Sequence, residues 1–178
     1  SIIWQYDFAT YWTIAMLYLV EFADWNSQAK IGMGGAMGNN GATDAMTYHT
    51  GTDASSRDNN GQVQYRHIEG LWSNGADFCD GIYLGGGYYD EVYCIKNPAN
   101  FSNTTGGENV GTTPTSSFVP KTFTEPPVGY EYALFMSTGM TDATYSKYVC
   151  DLWYYVWHGG IVAIGAETTG NAYGLFGI

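Results

Sequence analysis

Hydrophobic and polar positions divide the chain into periodic stretches separated by segments rich in glycine and asparagine. Residues 11–28 are apolar nearly all round as far as Val20 and amphipathic beyond it, with Phe22 and Trp25 three apart and Glu21 and Asp24 turned elsewhere. That pattern predicts a buried helix emerging toward solvent and ended by Gly32. Before it, SIIWQYDFAT (residues 1–10) alternates loosely among bulky apolar and aromatic side chains and predicts an opening strand. Residues 33–60 follow neither period, are punctuated by Gly34, Gly35, Gly38, Asn39, Asn40 and Gly41, and predict a long irregular loop.

The segment YRHIEGLWSNGADFCDG (residues 65–81) predicts a short second helix, because Ile68, Leu71 and Trp72 stand at i, i+3 and i+4, while Arg66 and Glu69 share another face. Ser73, Asn74 and Gly75 would stop that helix, and Phe78, Cys79, Ile82, Tyr83 and Leu84 continue as an extended segment. Gly85, Gly86 and Gly87 then separate residues 82–84 from residues 92–95, the signature of a hairpin with an enlarged tip.

Residues 96–128, rich in Asn, Thr, Ser, Gly and Pro, predict surface loop pinned by Phe101, Phe118, Val119 and Phe123. Residues 132–135 are strand-like, and so are residues 146–158. Gly159 and Gly160 allow a turn, after which residues 161–164 return as a buried apolar strand. On a strand, the run of residues 152–158 must turn either Trp153, Tyr155 and Trp157 outward, or else some of Leu152, Tyr154, Val156 and His158. Such an aromatic row is either a binding surface or a strand covered on both faces by loops.

Composition narrows the function. At 178 residues the chain has the length of one domain, 1–178, large enough to bury a core without staples. Charged residues are only 13% and aromatics 17%, so surface polarity falls to Asn, Thr, Ser, Gly and tyrosine hydroxyls, a mixture suited to binding surfaces. A net charge of -11 opposes phosphate backbones and anionic headgroups, which argues against nucleic acid as a partner. The longest apolar run, residues 14–20 extended by Tyr11 and Trp12, is far shorter than the roughly 20 residues of a membrane span, so no membrane insertion is expected. With no initiator Met and no basic leader, the chain is expected to be the C-terminal part of a longer one.

Candidate chemistry is sparse. His49, His67 and His158 lie far apart, without metal-ligand spacing. Asp77 with Asp80, or Asp90 with Glu91, offers oxygen ligands to calcium but no calcium-loop pattern. Gly32, Met33, Gly34 and Gly35 follow a helix rather than a strand, so no nucleotide cradle is predicted, and no serine has a nucleophile-elbow context. Cys79, Cys94 and Cys150 cannot all pair, and a Cys79 to Cys94 bridge across a hairpin and three free thiols both remain compatible with the spacing. Asn100 and Asn103 begin glycosylation acceptor patterns that matter only in a eukaryotic secretory pathway. No catalytic residue, metal or cofactor is expected, and the chain reads as a binder.

The order EFADWNSQAKIG, YRHIEGLWSNGADFCDGIY, VYCIKNPANFS, SKYVCD and then GLF resembles the variable proteins of diversity-generating retroelements and related bacteriophage tail proteins. In particular, residues 71–80 look like the G-N-V-W-E-W-C-D type segment of that superfamily, with Gly75 and Ala76 in place of bulkier residues. The resemblance implies an α+β fold of the C-type lectin-like, formylglycine-generating-enzyme (sulfatase-modifying-factor) type, with two helices, antiparallel strands and long irregular loops. It implies a ligand-binding surface at Leu152, Trp153, Tyr154, Tyr155, Val156, Trp157 and His158, joined by Glu167, Thr168, Thr169, Asn171 and Tyr173. The partner implied is a host-cell surface protein or glycan, met at a virion tail or cell surface; the alternative is a virion structural module, in a homotrimer or against other virion subunits, whose aromatics are buried in those contacts. Such proteins typically run on past the position of Gly174-Leu175-Phe176 to a final Gly-x-Arg-Leu strand, so the expectation is either that the last strand comes from elsewhere or that the chain continues past Ile178. No thiol follows Cys150, and the paired active-site cysteines of the enzyme branch, with their copper-dependent oxidation, are not carried over.

Overall fold

A computed structural model describes residues 6–31, 51–52, 63–72, 77–86, 91–112, 125–133, 160–164 and 175. Its first helix, α1 (Phe8–Phe22), begins where the Asp7 carboxylate accepts from the Thr10 N–H at 2.7 Å, satisfying one of the donors a helix start leaves over. This cap overrides the expected opening strand as far as it reaches residues 8–10. Extended character survives there only as a parallel bridge from Asp7 to Asp80, and residues 1–5 lie outside the described set. The helix ends six residues before the predicted boundary, at Ala23, whose φ of 49° turns the chain left-handed while its N–H bonds the Leu19 carbonyl. Trp25 therefore lies beyond the helix. A second short helix, α2 (Ser27–Lys30), starts at Asn26, whose side chain accepts from the Ala29 N–H at 2.9 Å, and ends at Ile31, ahead of Gly32.

The buried side of α1 is aromatic: Phe8, Tyr11, Trp12 and Tyr18 lie in the core, with Phe8 meeting Trp12 edge to face at 6.2 Å. Its other side differs from the expectation of burial nearly all round, because Leu17 and Val20 are exposed.

The segment expected to form the second helix is a β-hairpin instead. β1 (Gly51–Thr52), inside the stretch predicted to be irregular loop, pairs with β2 (Val63–Tyr65), which pairs with β3 (Ile68–Glu69). Arg66 and His67 form the two-residue turn between β2 and β3 with φ of 47° and 68°, the left-handed pair that tight hairpins need. The i, i+3, i+4 spacing misled because three apolar residues fit either geometry; Leu71 and Trp72 are buried as expected, but Ile68 is exposed. The hairpin is tied to the last turn of α1, since Tyr65 Oη and Arg66 Nε each donate to Glu21 Oε2 at 2.9 Å. That hydrogen bond to Arg66 holds the Glu21 carboxyl below its ordinary pKa, offsetting the unfavourable position of a negative charge at a helix C-terminus. A side chain at φ near 68° is strained, so His67→Gly is expected to raise stability by about 0.5–1 kcal/mol. A urea melt showing an unchanged or lower midpoint would contradict this account of the turn.

The larger antiparallel sheet contains the hairpin that was predicted. β4 (Asp77–Leu84) pairs with β5 (Glu91–Cys94), placing Ile82 opposite Cys94, Tyr83 opposite Tyr93 and Leu84 opposite Val92. β6 (Glu108–Thr112) adds to β5, and β7 (Gly160–Ile164) adds to β4, giving the order β6-β5-β4-β7. β6 lies inside the stretch expected to be loop. Only Val110 of it is buried, and Asn109 and Gly111 have low strand propensity, so the sequence carries almost no period there. Residues 130–133 turn, with the Ala133 N–H on the Tyr130 carbonyl at 2.8 Å, where a strand beginning at Tyr132 was expected. Gly160 belongs to β7 rather than to a turn, and the described partner of β7 is β4.

β4 is bulged between Cys79 and Tyr83. At its centre Gly81 has φ of 78°, accepts the Ile95 N–H at 2.8 Å, and lies so close to Phe101 that a Cβ would come within 2.9 Å of that ring. One core joins these parts: the inner face of α1, Val63, Tyr65, Leu71 and Trp72 from the hairpin region, Cys79, Ile82, Val92, Cys94, Val110 and Val162 from the larger sheet, and Ala133 and Leu175. The fold is thus mixed, helix plus antiparallel sheet. Among the described residues no helix is long and apolar enough to cross a membrane.

Candidate functional site

The expected contact residues, Leu152, Trp153, Tyr154, Tyr155, Val156, Trp157 and His158 together with Glu167, Thr168, Thr169, Asn171 and Tyr173, lie outside the described residues. What the structure describes is the frame around them. Gly160, two residues after His158 in the chain, opens β7 opposite Leu84, and Ile164 closes it opposite Asp77. Leu175, two residues after Tyr173, is fully buried. Its N–H donates to Ser27 Oγ at 2.8 Å, and its carbonyl accepts from the Tyr11 hydroxyl. The segment between Ile164 and Leu175 therefore leaves from a sheet strand and returns to a core position bonded to both helices.

Two of the hollows lined by described residues border α1. One, of about 90 Å³, lies between the start of α1 and the bulge of β4, lined by Asp7, Phe8, Asp80, Lys96, Phe101 and Tyr132 among others. The other, of about 230 Å³, runs along α1 beside Trp12, Thr13, Met16, Leu17, Val20 and Tyr132. Both are smaller than the roughly 300 Å³ of a small-molecule site, and their dimensions suit single side chains of a larger partner.

On the face of the larger sheet opposite Ile82, Val92 and Cys94 lies a second arrangement that the sequence pattern did not single out, between buried Tyr83 and half-buried Tyr93. Tyr83 and Tyr93 stack at 5.0 Å with planes 7° apart. A Cβ on Gly85 would come within 2.9 Å of the Tyr93 ring, and one on Gly107 within 2.8 Å of its Cβ, so both glycines are needed for the ring to lie flat. The Tyr93 hydroxyl donates to Glu91, which raises the phenol pKa and keeps it a donor at neutral pH. Cross-strand pairing would have revealed this stack once the hairpin register was known.

Cys79 and Cys94 are buried and no disulfide joins them, which decides against the bridge for that pair. Burial pushes the Cys94 thiol up to about 12, so at neutral pH it packs as a small apolar group and not as a thiolate nucleophile. His67 lies exposed in the hairpin turn, while His49, His158 and Cys150 are outside the described residues. Asp80 lines the smaller hollow and Glu91 holds the Tyr93 hydroxyl, so one member of each carboxylate pair has a described neighbour. Among the described residues no three His, Cys, Asp or Glu side chains gather closely enough to hold a metal ion.

Comparison with known proteins finds no match: no protein-family profile, no curated protein and no solved structure is significantly similar to this chain.

Proposed function

We propose that this chain is a non-enzymatic display domain on a C-type lectin-like scaffold, akin to the variable proteins of diversity-generating retroelements and phage tails. In this reading residues 152–158 and 167–173 bind a host-cell surface protein or glycan from a virion tail or cell surface. The observation that carries it is the anchoring of the second of these segments, which departs from β7 at Ile164 and rejoins the core at Leu175. A segment whose two ends are held by rigid elements can vary its side chains at little cost to the fold, because its ends are fixed by contacts it does not itself supply. The first segment adds Trp153, Tyr155 and Trp157, whose rings give large contact area with few rotors to freeze.

Replacing Trp153, Tyr155 and Trp157 together by Ala is expected to abolish binding to whole bacterial cells and to an immobilised glycan panel while circular dichroism stays unchanged. Undiminished binding by the folded triple variant would remove these residues from the site.

A further inference from the structure

The bulge of β4 sets polar groups beside a hollow that they do not fill. Cys79 and Ile82 are both buried in the core although they lie three apart on one strand, so the irregularity inserts Asp80 and Gly81 between two inward positions. Among the described residues the Asp80 carboxylate has neither a hydrogen-bond nor an ion-pair partner. It lines the hollow of about 90 Å³ together with Asp7, Lys96, Phe101 and Tyr132. Asp7 uses Oδ1 on the Thr10 N–H, which leaves Oδ2. Lys96 Nζ lies over the Tyr130 ring, 4.4 Å from its centroid, and pairs with neither carboxylate. Burial, with Cys94, Tyr130 and Asp7 nearby, holds the Tyr132 phenol above its ordinary pKa, so its hydroxyl is a donor at neutral pH. The lining therefore offers two acceptors and two donors that do not satisfy one another, next to an aromatic ring.

We infer that this hollow binds one hexopyranose residue of a neutral glycan. The mixture of charges selects the ligand class. A cationic group entering the hollow meets the Lys96 ammonium, and an anionic one meets both carboxylates. A sugar hydroxyl both donates and accepts, so neighbouring hydroxyls of one ring give protons to Asp80 and Asp7 and accept from Lys96 and Tyr132. The C–H groups of a pyranose suit the negative face of the Phe101 ring, which Gly81 admits so closely that a Cβ there would come within 2.9 Å of it. Size agrees, because a water-sized group needs about 10–15 Å³ and the hollow takes several hydroxyls but not a run of sugars. A neutral ligand also escapes the repulsion that a net charge of -11 sets against acidic glycans. The inference does not rest on residues 152–158 or 167–173 binding anything.

Nuclear magnetic resonance of the whole, isotope-labelled chain tests it, with the methyl glycosides of glucose, galactose, mannose, N-acetylglucosamine, N-acetylgalactosamine and fucose as probes. Each is added at fixed pH to about 50 mM, because so small a contact is expected to bind at about 1–10 mM. At least one glycoside is expected to shift the backbone amide signals of Asp80, Gly81, Lys96 and Phe101 saturably, while methylammonium and acetate leave them in place. Asp80→Asn keeps the shape of the side chain but removes a charged acceptor, and is expected to weaken binding about tenfold. The chain with Trp153, Tyr155 and Trp157 replaced by Ala is expected to bind the same glycoside as the parent does, so failure of that surface leaves this site standing. No shift with any of the six glycosides, shifts confined to other amides, equal shifts with methylammonium or acetate, undiminished affinity in Asp80→Asn, or loss of these shifts in the triple variant would each overturn the proposal.

Discussion

Trp72→Ala is expected to destabilise the domain by about 3–5 kcal/mol, the range for emptying a large aromatic site in a packed core. Trp72 is 1% exposed and belongs to the same buried cluster as residues of α1, the β2–β3 hairpin and the larger sheet, so its loss leaves a cavity in that core. Domains of this size are stable by about 5–15 kcal/mol in total, so a loss of this size can leave much of the variant unfolded. Urea denaturation followed by far-ultraviolet circular dichroism measures the effect. Trp72→Phe, which keeps most of the buried ring, is expected to lose far less. A loss below about 1 kcal/mol for the alanine variant would show that Trp72 is not packed as described, since core truncations of this kind do not cost so little.

Leu175→Ala is the second large effect, expected at about 2–5 kcal/mol from transfer and cavity together. Its consequences should reach further than those of Trp72, because Leu175 also closes the segment proposed to touch the ligand. Ser27→Ala separates the two roles. It leaves the Leu175 side chain in place but takes the acceptor from a buried N–H, at an expected cost of about 1–3 kcal/mol. If residues 167–173 bind ligand, both Leu175→Ala and Ser27→Ala should weaken binding per folded molecule, measured at a temperature where each is still folded. Trp72→Phe should not. Equal binding by all three would detach the ligand surface from the Leu175 anchor, whatever the melts show.

The parts of the fold that the sequence disclosed are those where one local signal had no competitor. Residues 11–22 carry a long run of apolar side chains at helical length, and α1 forms there. Gly85 and Gly86 stand between two β-branched and aromatic runs, and β4 and β5 pair on either side of them. Residues 161–164 are a continuous apolar strand and take their place in the sheet as β7. Where the signal was short it misled. Ile68, Leu71 and Trp72 fit a helix by spacing alone, but two residues at positive φ turned the same segment into a hairpin. The cap at Asp7 likewise won Phe8, Ala9 and Thr10 for the helix against a pattern that suggested a strand.

By itself, then, the sequence determined that a large share of its apolar and aromatic side chains must be covered, though not which of them, and that the chemistry is poor in ionisable groups. These follow from composition and local period, and Leu71 and Trp72 are in the core even though the element carrying them was misassigned. Only the tertiary structure decided which strand lies beside which: that β6 joins β5, that β7 joins β4, and that Leu175 is tied to Tyr11 and Ser27 across most of the chain. It also decided that Leu17 and Val20, as apolar as their buried neighbours, face outward. Burial of apolar area is non-directional and says that a residue should be covered but not by what, whereas strand register and helix facing are set by contacts between residues far apart in sequence, which no local window contains.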